Sequence, residues 1–143
     1  MKAVSEFIKN NNNINPETVF IHGVSFGGAV TIYLTSIATF KPAGIIVGNT
    51  FTRMDAVVAH KSFKFIGDWW SNKWISIEIM PNIECPIMVM TGLKDKLIPP
   101  QHSVDLYNAA TKAAFRRKID FPEAEHKGLW VADLPLYINS VNQ

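Results

Sequence analysis

Ser25 lies in a turn whose small neighbours suit a reactive serine. Residues 19–28 read Val-Phe-Ile-His-Gly-Val-Ser-Phe-Gly-Gly, a short apolar strand that leads into Gly23-x-Ser25-x-Gly27, and an apolar helical run follows. A serine on a sharp turn between a buried strand and a helix presents its hydroxyl above the sheet, and Gly23, Gly27 and Gly28 leave the turn uncrowded. We interpret Ser25 as a candidate nucleophile on a nucleophile elbow. The alternative is an ordinary glycine-rich turn.

The helix predicted after the turn adds an electrostatic feature. Phe26 follows the serine, and the apolar run beyond it predicts a helix through about Phe40. The positive end of this helix would face the serine hydroxyl, with the backbone N–H of Phe26 directed to where an oxyanion develops. Phe26 is therefore the predicted oxyanion-hole residue.

Two further residues could activate the serine. Asp95 lies just past the predicted strand 86–90, and His126 lies in the loop after the predicted strand 115–121. A serine hydroxyl needs an imidazole to take its proton and a carboxylate to orient that imidazole. Taken singly, Asp95 could be a turn aspartate and His126 a solvated loop histidine. The chain order Ser25, Asp95, His126 is that of α/β-hydrolases and favours a catalytic triad.

The other histidines and the single cysteine are predicted to be structural. His22 lies within a predicted strand, His60 within a predicted helical segment, and His102 at a predicted helix start. Cys85 precedes an apolar strand and reads as a small core residue. A serine mechanism requires no metal and no organic cofactor, and we expect none.

The elements that must position these residues alternate between strand and helix. Strands are predicted over 19–22, 44–47, 86–90 and 115–121. An opening helix is predicted with Val4, Phe7 and Ile8 on one face. Further helices are predicted from the serine turn to about residue 40, over 101–111, and at the C-terminus up to about residue 141. Apolar strands that alternate with helices indicate an α/β fold with a parallel sheet.

Composition narrows the class of protein. The chain has 143 residues, 48% apolar and 18% charged, which suits one soluble globular domain. A net charge of +2 without a basic stripe argues against nucleic acid as a partner. No run approaches the ~20 apolar residues of a membrane span, so we predict neither a signal peptide nor a transmembrane segment. We expect an intracellular location, cytosolic or peripheral to a membrane.

Residues from about 52 to 81 are predicted to form a helical cap insertion. This segment is rich in aromatic residues interleaved with lysines, namely Phe63, Phe65, Trp69, Trp70 and Trp74. These side chains could line an acyl pocket or touch a membrane surface. Packing of the helices onto the sheet is the favoured interpretation, because aromatic bulk ordinarily fills a small core.

Four separated motifs carry a resemblance to a known family. The segments 23–30, 48–52 and 92–100, and Phe121-Pro122 ahead of His126 with Trp130, resemble the Bem46-type branch of the alpha/beta-hydrolases, the group of alpha/beta-hydrolase domain-containing protein 13. The resemblance implies a serine hydrolase that acts on acyl esters or thioesters. It also implies Ser25 as nucleophile, Asp95 as acid and His126 as base.

The resemblance has two local departures. Val24 stands where a basic residue usually precedes the serine, which would alter the polarity of the pocket. The run Glu123-Ala124-Glu125 stands in place of a more usual glycine-containing approach to the histidine.

By comparison with the family, residues 1–143 correspond to the C-terminal part of the domain and supply about the last four strands of an eight-stranded sheet. The other half would carry the loop with the second oxyanion donor, whose loss typically costs ~3 kcal/mol of transition-state stabilisation. Strand 19–22 would become a sheet edge, so we expect self-association or pairing with a partner there. The alternative function is a catalytically impaired fragment that acts as a binding or assembly module.

Overall fold

A four-stranded parallel sheet organises the residues that the computed structural model describes, 2–55 and 74–142. The strand order is β1-β2-β3-β4, and each neighbouring pair is parallel. The strands are β1 (Phe20–Val24), β2 (Gly44–Gly48), β3 (Ile87–Gly92) and β4 (Arg116–Phe121). All four predicted strands and the predicted parallel α/β class are confirmed.

Helices connect and cover the strands. They are α1 (Lys2–Asn10), α2 (Phe26–Ser36), α3 (Ser76–Ile79), α4 (Gln101–Ala109), α5 (Leu129–Ala132) and α6 (Leu134–Val141), with short 3-10 turns at Pro16–Thr18 and Met80–Asn82. The prediction for α2 was too long, since the helix ends at Ser36 rather than near Phe40. The C-terminal region holds two helices, because Asp133 caps the start of α6 by accepting from the N–H of Leu136 at 2.9 Å.

The core lies on both faces of the sheet. Alternate side chains of β2 point to opposite faces, so that Ile45 and Val47 join the cluster with α2 and α4, whereas Ile46 packs with Phe121 and Leu129. All five residues of β2 are buried. This burial on two sides explains why the central strands are continuously apolar in sequence.

The opening helix packs through a different face from the predicted one. Ser5 and Ile8 are buried at 3% and 6% exposure, whereas Val4 and Phe7 are exposed at 52% and 62%. Ser5 and Ile8 are three residues apart and share one side of the helix. The apolar residues of α1 therefore do not all serve the core.

The first strand forms one edge of the sheet. β1 pairs only with β2 among the described strands, and the Phe20 side chain is 62% exposed. Within the described ranges, no helix combines the length and apolarity that a membrane crossing requires. Of the predicted cap insertion at 52–81, residues 56–73 lie outside the described part of the chain.

The buried centre of α4 gives a test of the core. Leu106 is fully buried, whereas Leu134 at the start of α6 is 52% exposed. We expect Leu106→Ala to lower the free energy of unfolding by ~2–5 kcal/mol, because it removes buried methyl groups and leaves a cavity. Leu134→Ala is the matched control and should change it by about 0.5 kcal/mol or less. Urea unfolding followed by circular dichroism measures both, and equal effects would contradict the assigned core.

Self-association through the edge of β1 remains a prediction. A charged residue on an edge strand opposes strand pairing between chains, so Phe20→Lys should shift the protein toward the monomer. Sedimentation velocity at micromolar concentration measures this shift. A monodisperse monomer for the unsubstituted chain would refute the expectation.

Candidate active site

Ser25 occupies the turn between β1 and α2 with an unusual backbone. Its φ of 57° and ψ of −125° lie outside the regions that residues with a side chain normally adopt. Two hydrogen bonds hold this conformation. The N–H of Ser25 donates to the carbonyl of Gly48 at 2.8 Å, and its own carbonyl accepts from the N–H of Gly28 at 3.0 Å. The strand–turn–helix arrangement predicted around Ser25 is present.

The glycines around Ser25 differ in how close a side chain at each position would come to neighbouring atoms. A Cβ on Gly23 would lie 2.1 Å from the carbonyl oxygen of Gly27, and a Cβ on Gly28 would lie 2.5 Å from the Cβ of Thr50. A Cβ on Gly27 would meet nothing within 4 Å among the described residues. The described residues therefore confirm the predicted crowding at Gly23 and Gly28 and show none at Gly27.

Ser25, His126 and Asp95 come together in one hydrogen-bonded chain. Ser25 Oγ lies 2.9 Å from His126 Nε2, and His126 Nδ1 lies 2.8 Å from Asp95 Oδ2. A carboxylate can only accept, so Nδ1 carries the proton and donates to Asp95. Nε2 is then left to accept from the serine hydroxyl. In this arrangement the imidazole can take the serine proton while the carboxylate steadies the resulting charge.

The carboxylate of Asp95 is held by its own loop as well as by the imidazole. Its Oδ1 accepts from the backbone N–H groups of Leu97 and Ile98, both at 2.8 Å, so Oδ2 remains directed at His126. The residue is buried at 5% exposure. Asp95 is thus both an Asx-type turn residue and the hydrogen-bond partner of His126.

A residue without a predicted role anchors the loop that carries His126. Asn49 directly follows β2, with φ 42° and 2% exposure. Its Nδ2 donates to the carbonyls of Glu125 and His126, both at 3.0 Å, and its Oδ1 accepts from the N–H of Gly92 at 2.7 Å. In the sequence, Asn49 stands out only as part of the segment 48–52 that resembles the family. An asparagine that ends a buried strand was the available signal, because asparagine tolerates positive φ.

Phe26 opens α2 directly after the serine. Its N–H therefore lies in the first turn, at the positive end of the helix dipole. Its ring packs edge-on against Trp74, with centroids 5.0 Å apart, and at 6.4 Å from Phe51. Trp74 also packs edge-on against Tyr33 at 5.6 Å, which agrees with a packing role for this aromatic residue. The other aromatic residues named for the predicted cap insertion lie outside the described residues, namely Phe63, Phe65, Trp69 and Trp70.

The structure describes two further histidines and the single cysteine. His102 Nδ1 lies 2.9 Å from the hydroxyl of Thr52, His22 sits on the edge strand, and His60 lies outside the described residues. Cys85 is buried, and burial raises the pKa of its thiol. Across 2–55 and 74–142, no group of three or more His, Cys, Asp or Glu side chains is placed to hold a metal ion.

Known proteins share this sequence pattern over nearly the whole chain. The chain is 27% identical to the alpha/beta hydrolase domain-containing protein WAV2 of Arabidopsis thaliana, over 95% of this chain and 49% of that protein. It is 28% identical to protein bem46 of Schizosaccharomyces pombe, over 80% of this chain and 40% of that protein. The resemblance to Bem46-type alpha/beta-hydrolases is confirmed. The chain spans about half the length of these relatives or less.

A solved structure and a family profile also match this chain. An esterase of Pyrococcus furiosus superposes with a TM-score of 0.80 at 16% identity, over 99% of this chain and 57% of that one. Such a likeness shows the fold of α/β-hydrolases, of which the described residues form four parallel strands. The sequence profile of the prolyl oligopeptidase family matches residues 1–132. With a match over most of its length, the chain belongs to the prolyl oligopeptidase family.

Proposed function

We propose that this chain carries the catalytic residues of a serine hydrolase that cleaves the ester or thioester bonds of small-molecule or lipid-like acyl substrates. Ser25 is the nucleophile, His126 the general base and Asp95 the residue that orients His126. The observation that carries the proposal is the continuous chain of hydrogen bonds, 2.9 Å from Ser25 to His126 and 2.8 Å from His126 to Asp95. Membership of a peptidase family and the likeness to an esterase both support hydrolysis at a carbonyl.

In the proposed reaction, Ser25 Oγ attacks the carbonyl carbon of the substrate while His126 Nε2 accepts the hydroxyl proton. The tetrahedral intermediate collapses as His126 returns the proton to the leaving oxygen or sulfur, and an acyl-serine remains. Water, deprotonated by His126, then attacks the acyl carbon. The bond from that carbon to Ser25 Oγ breaks as His126 returns the proton to Oγ, which releases the carboxylic acid and restores Ser25. Asp95 stays ionised and keeps Nδ1 protonated in both halves of the cycle.

The backbone N–H of Phe26 is the proposed oxyanion donor. It belongs to the residue after the nucleophile and lies at the N-terminus of the eleven-residue helix α2. One such donor contributes roughly 3 kcal/mol to the stabilisation of a tetrahedral oxyanion. Ester and thioester leaving groups depart more readily than an amine, so they need less of this stabilisation than a peptide bond. This difference favours acyl esters and thioesters as substrates of the proposed site.

A fluorophosphonate probe tests the nucleophile directly. The probe reacts covalently with an activated serine, so the purified chain should be labelled. Ser25→Ala should not be labelled, and His126→Ala should lose roughly 10⁴-fold or more in labelling rate because the hydroxyl is then not deprotonated. Ser36→Ala, which removes an exposed serine in α2, is the matched control and should label like the unsubstituted chain.

Absence of labelling in a chain whose circular dichroism shows a folded protein would contradict the proposal. That outcome would favour the binding or assembly module instead. Labelling that survives Ser25→Ala would place the reactive serine elsewhere.

The turn around Ser25 gives a second test through Gly23 and Gly27. A Cβ on Gly23 would collide with the backbone oxygen of Gly27, so Gly23→Ala should cost ~1–3 kcal/mol in the free energy of unfolding. The same variant should lose most fluorophosphonate labelling, because the backbone of the turn must shift. The Cβ of Gly27→Ala meets none of the described residues and lies on a helical backbone, so the free energy of unfolding of this variant should be unchanged or raised by up to about 1 kcal/mol. Equal destabilisation in urea unfolding would refute the assigned turn geometry.

A further inference from the structure

Gly48 and Asn49 form hydrogen bonds with the backbone at or near all three proposed catalytic residues. The carbonyl of Gly48 accepts from the N–H of Ser25 at 2.8 Å. The side chain of Asn49 donates to the carbonyl of His126 at 3.0 Å and accepts from the N–H of Gly92 at 2.7 Å. The carbonyl of Gly92 in turn accepts from the N–H of Asp95 at 3.2 Å. One point at the end of β2 thus connects the three segments.

A primary amide suits this position better than any other side chain. Two carbonyl oxygens and one N–H converge on Asn49, so the group between them must donate twice and accept once. A carboxylate has no donor, and a hydroxyl has one. The residue is 2% exposed, so water is poorly placed to replace a missing partner. The φ of 42° further favours asparagine over residues with branched or bulky side chains.

The loop that Asn49 holds also forms backbone hydrogen bonds with the residues that follow β3. The N–H of Lys94 donates to the carbonyl of Ala124 at 2.9 Å, and the N–H of Leu93 donates to that of Phe121 at 3.0 Å. These bonds precede His126 in the chain. The two bonds from Asn49 reach the carbonyls of Glu125 and His126 themselves, and therefore fix the backbone from which the imidazole projects.

We infer that Asn49 is a positioning residue, which holds the His126 backbone so that the imidazole bridges Ser25 and Asp95. This inference rests on the proposed function and extends it to a residue that touches none of the reacting atoms. A displacement of about 1 Å between reacting groups can cost roughly 100-fold in rate. Because Asn49 acts on alignment and not on substrate binding, its loss should lower kcat and leave KM nearly unchanged.

Asn49→Asp is the principal test. It keeps the shape, the tolerance of positive φ and an acceptor for the N–H of Gly92, and it replaces only the two donors to the loop. We expect kcat for a short-chain p-nitrophenyl ester to fall roughly 100-fold, and the rate of fluorophosphonate labelling to fall with it. KM should change by less than about threefold, because the substitution leaves the contacts that bind the substrate unchanged. Asn108→Asp, an exposed position on α4, is the matched control and should behave like the unsubstituted chain.

A spectroscopic measurement separates alignment from general stability. The His126 Nδ1 proton, which donates to Asp95, should give a low-field proton NMR resonance that is absent in His126→Ala. That resonance should be lost or exchange-broadened in Asn49→Asp even where near-ultraviolet circular dichroism shows native packing. Asn49→Gly, which suits positive φ and removes all three side-chain bonds, should give the same result and serves if the aspartate variant does not fold.

The outcomes distinguish the inference from the proposed function. If the unsubstituted chain neither hydrolyses the ester nor reacts with the probe, the proposed function fails, and the resonance still reports whether Asn49 holds the His126–Asp95 bond. If folded Asn49→Asp keeps the kcat, labelling rate and resonance of the unsubstituted chain, the inference is wrong. Failure of both Asn49 variants to fold would also overturn it, because Asn49 would then serve folding rather than alignment.

Discussion

Parallel pairing of the four strands is the constraint on which the candidate site depends. Because all four strands run in one direction, their carboxyl ends share one edge of the sheet. Ser25, Asn49, the Asp95 loop and the His126 loop each follow a different strand at that edge. The register pairs Val24 with Gly48, so β1 and β2 end level, and Gly92 with Phe121, so β3 and β4 end level, two residues beyond the pair of Gly48 with Met90. A slip of one residue would turn every side chain of a strand to the opposite face.

Asn49 and Asp95 are buried at this edge, and hydrogen bonds join its polar groups across long stretches of sequence. The side-chain bonds of Asn49 span 43, 76 and 77 residues, and the bond from Ser25 to His126 spans 101. A buried donor or acceptor left without a partner costs ~1–3 kcal/mol. The same bonds that align the site therefore also penalise any displacement of its loops.

Two non-glycine residues with positive φ, Ser25 and Asn49, stand side by side at the ends of β1 and β2. A backbone held in a sparsely populated region typically costs ~1–3 kcal/mol and persists only where its surroundings determine it. Here the surroundings are specific. The carbonyl of Gly48 and the N–H of Gly28 bind the backbone of Ser25, and three side-chain bonds hold Asn49. Strain and hydrogen bonding thus concentrate where the proposed chemistry takes place.

The sequence by itself determined the four strands, the parallel class and the chain order of Ser25, Asp95 and His126. Apolar runs, glycine spacing and turn residues are local signals, so each can be read without knowledge of its partners. Local signals placed helix ends less well, as the end of α2 at Ser36 and the break at Asp133 show. They also misjudged α1, where Ser5 is buried and Phe7 exposed. Helical periodicity defines faces but does not say which face a neighbour covers.

Only the tertiary structure decided that Asn49 holds the His126 loop, that Gly23 packs against the backbone of Gly27, and that one carboxylate oxygen of Asp95 binds its own loop while the other binds His126. Each of these facts depends on the distance between segments that are far apart in the chain. Sequence spacing does not encode such distances. They are set by the strand order and register of the folded sheet. These place the side chain of His126 within hydrogen-bond distance of Ser25 and Asp95, and its carbonyl within hydrogen-bond distance of Asn49.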